Sequence, residues 1–184
     1  MLAKIFLFLC ILSLGESILA QSSDDTTINE AVKDGNIERV RVLSRVKTNL
    51  NTEDIRLMTP LLIACNDNSI EIVKILLESG ADINRKHREN GRTALIYASA
   101  NGYVDLIRIL ITKSGILLNA KDRDGKTALM HSVFNARKEA VSLLIEAGAN
   151  VNSRSNSEDS ALSLALKSGR PEIVAILKQA GARE

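Results

Sequence analysis

Few side chains in this chain could carry chemistry, and their types and spacing argue against an active centre. Its 184 residues include two histidines, His87 and His131, and two cysteines, Cys10 and Cys65. A catalytic pair or a metal site needs imidazoles that converge with carboxylates or thiolates, and nothing in the sequence brings these four together. No His-Glu-x-x-His, Cys-x-x-Cys, Gly-x-Gly-x-x-Gly or Gly-x-Ser-x-Gly pattern occurs, so the common metal, dinucleotide and nucleophile-elbow signatures are missing. The acidic pairs Asp24–Asp25, Glu53–Asp54 and Glu158–Asp159 are adjacent in sequence. Neighbouring carboxylates do not straddle a substrate as general acid and base, and turn chemistry accounts for them better. His87 reads as a solvated loop histidine and His131 as a half-buried helical one. No catalytic residue, metal ligand or cofactor is expected.

The elements that hold these residues repeat. Thr59-Pro60-Leu61-Leu62-Ile63-Ala64, Thr93-Ala94-Leu95-Ile96-Tyr97-Ala98, Thr127-Ala128-Leu129-Met130-His131-Ser132 and Ser160-Ala161-Leu162-Ser163-Leu164-Ala165 start 34, 34 and 33 residues apart, with a weaker copy from Thr26. A second apolar run follows each: Ile37/Val40/Leu43, Ile70/Val73/Leu76, Val104/Ile107/Leu110, Val141/Leu144 and Val174/Leu177. Spacing of three marks one buried stripe on a helix. Each unit thus reads as a short helix, a turn, a longer helix and a connecting loop. Gly80-Ala81-Asp82-Ile83-Asn84 and Gly148-Ala149-Asn150-Val151-Asn152 close two units, with Gly where a helix needs a left-handed cap. Lys121-Asp122-Arg123-Asp124-Gly125-Lys126 is a turn, and Thr127 is placed to cap the helix after it.

A period near 33, a Thr-Pro-Leu-x-x-Ala opening and a Gly-Ala-Asp-x-Asn closing resemble the ankyrin repeat. The resemblance runs from about Thr26 to Arg183. It implies an all-α ankyrin-repeat solenoid of five helix-turn-helix units with hairpin-like loops, the terminal units acting as caps. The units fall near residues 26–58, 59–92, 93–126, 127–159 and 160–184. Glu30, Lys33, Asp34, Glu38, Arg39 and Arg41 would give one end a polar face, and Lys167, Arg170, Glu172, Lys178 and Gln179 the other. Departures from the pattern include the missing histidine after Thr-Pro-Leu and turns without glycine before Thr59 and Ser160. Lys138 and Pro171 also stand where other outer helices begin with Ile or Val. The fourth and fifth units are predicted to be the softer ones.

The resemblance also implies a binding surface, because the family grips partners with loop tips and exposed positions of each first helix. Carried over by position, the partner-binding residues are Arg85, Lys86, Arg88, Arg92, Asn101, Lys121, Arg123, Lys126, Phe134 and Asn135. Seven of these are basic and lie over two adjacent tips, where they would steer and hold an acidic protein surface. The alternative is a solvated loop edge. Phe134 would be an interface anchor, unless it folds back into a neighbouring unit. With two Tyr, three Phe and no Trp, stacking platforms for single-stranded nucleic acid are missing, and no nucleic-acid partner is expected. A convergent polar pocket for a small ligand is not called for by the repeat pattern.

Residues 1–20 follow different rules. Lys4, the apolar stretch Ile5–Leu14 and Ser17-Ile18-Leu19-Ala20 before Gln21 form the pattern of a cleavable signal peptide. The stretch is too short for a membrane-spanning helix, so no stable membrane anchor is expected after cleavage. Residues 21–25 form a polar leader. Removing residues 1–20 takes away Lys4 and Glu16, leaving the formal charge at +2. Cys65 is then the only cysteine, and it reads as a buried, inert thiol. The reading is a periplasmic or secreted, non-catalytic protein-binding module. Its role is open between a scaffold, an immunity-type inhibitor of an exported toxin and a secreted effector acting on a host protein. The absence of any Asn-x-Ser/Thr sequon fits a bacterial periplasm.

Overall fold

A computed structural model describes residues 27–46 and 49–183. The segments read as signal peptide and leader lie outside the described residues. Ten helices are present among the described residues, in five pairs: α1 (Ile28–Lys33) with α2 (Ile37–Arg45), α3 (Pro60–Asn66) with α4 (Ile70–Glu78), α5 (Ala94–Asn101) with α6 (Val104–Ile111), α7 (Ala128–Phe134) with α8 (Lys138–Glu146), and α9 (Ala161–Lys167) with α10 (Pro171–Gln179). No strand forms among these residues; an isolated antiparallel bridge joins Arg154 and Ser160. The first helices α1, α3, α5, α7 and α9 stack in chain order, each on the next. The architecture is the all-α repeat solenoid expected.

Local chemistry explains the boundaries. Thr27, Thr59, Thr93, Thr127 and Ser160 each accept a hydrogen bond on the side-chain oxygen from the backbone N–H three residues on. This satisfies one of the donors left open at a helix start. Pro60 and Pro171 sit in the first turns of their helices, where no N–H is lost. At the end of α4 the Gly80 N–H donates to Leu77 O and the Ala81 N–H to Leu76 O, and Gly148 and Ala149 repeat this after α8. Both glycines have φ +91°, the left-handed cap predicted for them.

The core is a column of small and branched residues. Leu61, Ala64, Cys65, Leu95, Ala98, Leu129, Leu162 and Ala165 fill the first-helix layer, and Val73, Leu76, Ile107, Leu110, Val141, Leu144 and Leu177 the second. In four of the five outer-helix runs the opening residue is less covered than its followers, Ile37 being exposed and Ile70, Val104 and Val174 half-buried; in the fourth, Val141 is buried like Leu144. Cys65 is fully buried, which raises its thiol pKa. The predicted charged residues of both end units are exposed or half-buried, but Val42, Val46 and Ile55 of the first unit are exposed beside them.

Neighbouring units are tied by the closing asparagines. Asn51 Oδ1 accepts from Asp82 N (3.0 Å), Asn84 Oδ1 from Leu117 N (2.9 Å), Asn119 Oδ1 from Asn150 N (2.8 Å) and Asn152 Oδ1 from Arg183 N (2.8 Å). Asn84 and Asn152 also donate through Nδ2 to Gly115 O and Gly181 O. The asparagine of the closing motif is therefore a bridge to the next unit, a role its spacing alone did not disclose.

Candidate protein-binding face

Each loop tip is built around its first polar side chain. Asp54 Oδ1 accepts from Arg56 N and Met58 N, Asp122 Oδ1 from Asp124 N and Lys126 N, and Ser155 Oγ from Ser157 N and Asp159 N. The backbone closes each tip too, as in Asp122 N–H to Lys126 O at 3.0 Å. Lys33 Nζ lies 2.8 Å from the buried Asp54 carboxylate. Burial raises the Asp54 pKa, but the Lys33 ammonium and the Met58 and Arg56 N–H groups outweigh it and hold it below the ordinary value.

The second tip is one residue longer, and His87 takes the organising position. Its Nδ1 accepts from Asn90 N, Asn90 Oδ1 accepts from Arg92 N, and Nε2 lies 2.8 Å from Arg56 O in the preceding tip. His87 is buried, which corrects the expectation of a solvated loop histidine: it is the internal strut of the longer loop. His131 is likewise buried rather than half-buried, with Nε2 2.7 Å from Asp122 Oδ2. Burial lowers its pKa, Asp122 pulls it up, and the Arg92 and Lys126 cations push it down again; the net shift is downward. The two histidines serve different tips, and no group of three metal-ligating side chains forms among the described residues.

Successive tips touch. Arg123 N–H donates to Asn90 O (3.0 Å) and Asn156 N–H to Asp124 O (2.8 Å). Gly91 is required at one crossing: a Cβ there would lie 2.8 Å from Arg123 N. This contact ladder engages most of the predicted cations. Arg85 and Arg88 each lie 3.5 Å from Glu53, Lys86 Nζ donates to Lys121 O, Lys121 Nζ to Arg154 O, and Arg123 to Arg88 O. All five keep exposed surface, so the tips form a basic edge whose cations also bind one loop to the next.

The other predicted residues converge elsewhere. Arg92, Lys126, Asn101, Phe134 and Asn135 line a cleft of roughly 320 Å³ between the third and fourth units, on the side of α5 and α7, together with Arg137 and Asp124. The repeat pattern gives no sign of this convergence, and Arg137 lies outside the predicted residues. That side chain crosses Gly102 of the preceding unit, where a Cβ would meet its Cδ at 2.7 Å, and its Nε donates to Ala100 O. Lys126 Nζ lies 5.7 Å from the centre of the Phe134 ring, which is 56% exposed. Phe134 does not fold back into its neighbours.

Three stretches, residues 8–87, 28–122 and 114–183, match the family model described as ankyrin repeats. The chain belongs to the ankyrin repeat family. A fowlpox virus (strain NVSL) protein carrying the ankyrin repeat name FPV031 is 34% identical over 153 residues, which is 80% of this chain and 45% of that protein. The ankyrin repeat chain thus spans less than half the length of this curated relative. Ankyrin repeats are protein–protein interaction modules, typically scaffolds without catalysis. The first family match reaches back to residue 8, inside the stretch read as an export signal. No described helix of this ankyrin repeat protein is long and apolar enough to cross a membrane.

Proposed function

We propose that this ankyrin repeat protein is a non-catalytic module that binds a partner protein with an acidic surface, through the tips Arg85–Arg92 and Lys121–Lys126 and the adjoining ends of α5 and α7. The observation that carries this reading is the one-sided gathering of exposed cations and the exposed Phe134 ring on the face the family uses for its partners. Such a field raises association rates and selects against basic surfaces. Reversing Arg88 and Lys121 together to glutamate should weaken partner binding and flatten its salt dependence. An unchanged affinity would remove the basic edge from the account.

The N-terminal pattern supports an exported protein, periplasmic or secreted, whose role is that of a scaffold, an inhibitor of an exported toxin or a host-directed effector. Expression with the natural N-terminus and sequencing of the recovered protein tests this. Gln21 as the first residue is expected; an intact residue 1 on protein retained inside the cell would refute export.

A further inference from the structure

The cleft between the third and fourth units differs from the basic edge in how its cations are used. At the edge, each guanidinium or ammonium already meets Glu53 or a neighbouring carbonyl. In the cleft, Arg92 makes no ion pair or side-chain hydrogen bond with any described residue, and its Nε is buried without an acceptor. The guanidinium is held only against the Tyr97 ring, 5.9 Å from its centre. The guanidinium therefore borders the cleft with its hydrogen-bonding capacity largely unspent inside the protein. Arg137 spends one N–H on Ala100 O at 3.3 Å and enters no ion pair. Lys126 has one long contact, 3.8 Å, to Asp124, which is itself 74% exposed.

Three cations therefore border one cleft that holds a single solvated carboxylate. The Asn101 amide, a further lining group, makes no side-chain hydrogen bond among the described residues, and Asn135 donates to His131 O, which leaves its carbonyl oxygen facing no donor. Phe134 forms an exposed apolar wall beside Lys126. His131 at the base is paired with Asp122. Each donor already rests on a neighbour in the free protein: Arg137 over Gly102, Arg92 against Tyr97, and Lys126 beside the Phe134 ring. Preorganised donors lose less freedom on binding. Planar guanidinium groups suit a planar carboxylate, which accepts paired N–H bonds.

We infer that this cleft is a receptor for a single acidic side chain, Asp or Glu, presented by a protein partner with an apolar residue next to it that covers Phe134. The inference rests on the protein-binding reading and names the point where the partner is anchored. The basic edge then steers, and the cleft selects. Arginine is among the residues enriched where interface affinity is concentrated.

The test uses capped five-residue peptides, Ser-Leu-Glu-Leu-Ser and its Gln counterpart, titrated into isotope-labelled protein and followed by amide NMR shifts. The Glu peptide should move the signals of Asn101, Phe134 and Asn135 and bind about tenfold or more tighter than the Gln peptide, the worth of one charged hydrogen bond. Arg92→Gln and Arg137→Gln should each erase most of that preference, while Arg88→Glu with Lys121→Glu should leave it within about twofold, since edge charges act at long range. Equal affinity for the two peptides would overturn the inference. So would shifts confined to the Arg85–Arg88 edge, or a preference that survives Arg92→Gln and Arg137→Gln with otherwise unchanged spectra. Acetate alone shifting the same amides as strongly as the peptide would reduce the cleft to a small-anion site. If the cleft fails while the edge double variant still loses a full-length partner, protein binding stands and only this anchor falls.

Discussion

At the scale of single residues, the chain uses its polar side chains to close loops, and two of them make measurable predictions. His131 is buried against Asp122 with its pKa below the ordinary value. The unfolded chain therefore binds a proton at higher pH than the folded one. Stability from the neutral imidazole is complete above the unfolded pKa of about 6.5 and is lost as pH falls through it towards the depressed folded value. The urea midpoint should fall between about pH 7.5 and about pH 5.5, and His131→Gln, which cannot titrate, should flatten that decline. An equal decline in both proteins would locate the titration elsewhere. Ala136 makes the second prediction. Its φ of +56° falls where the first and third units carry Gly35 and Gly102. Left-handed backbone costs a residue with a Cβ about 1 kcal/mol or more, so Ala136→Gly should stabilise by about 0.5–1 kcal/mol in chemical denaturation. Gly102→Ala should destabilise by more than that, because it adds the same strain and displaces Arg137; no change in either would contradict the assignment.

At the scale of elements, the closing asparagine is the joint of the stack. Asn84 makes two hydrogen bonds with the following unit, accepting from Leu117 N and donating to Gly115 O. Asn84→Ala should lower unfolding free energy by about 1–2 kcal/mol, the net of two such bonds, read from the urea midpoint at constant slope. A midpoint within error of the parent would leave the joint to packing alone. Much of the element level was legible in the sequence, because helix starts, left-handed caps and apolar stripes follow local rules: Thr127 caps α7 and Gly148 ends α8 as their positions predict. The Asn84 bridge and the His87 strut were not legible, since both depend on which loop lies beside which. The turns lacking glycine show the same limit from the other side. Leu57 and Glu158 adopt φ +58° and +61°, so the stack imposes the turn even where the local residue disfavours it.

At the scale of the whole molecule, a solenoid is stabilised by neighbours, so strain stays local and stability can vary along it. Ala136 and Glu158 both place left-handed strain in the fourth unit, and the fifth has a neighbour on one side only among the described residues. Amide exchange should therefore run faster in α8–α10 than in α3–α6; the reverse order would contradict a softer fourth and fifth unit. The binding face was legible only in outline. Position within the repeat indicated Arg92, Lys126, Phe134 and Asn135, but Arg137 enters the cleft from an outer-helix start, guided by the missing Cβ of Gly102, and no spacing rule carries that. The most direct test of the central claim is affinity isolation from the periplasmic or secreted fraction with the protein from Gln21 onward, at low and high salt. The parent should be compared with Arg88→Glu/Lys121→Glu and with Arg92→Gln/Arg137→Gln, and any retained protein purified for a direct binding constant. The account predicts one acidic partner whose affinity falls with salt and drops in both variants; a protein bound equally by all three, or none bound by the parent, would contradict it.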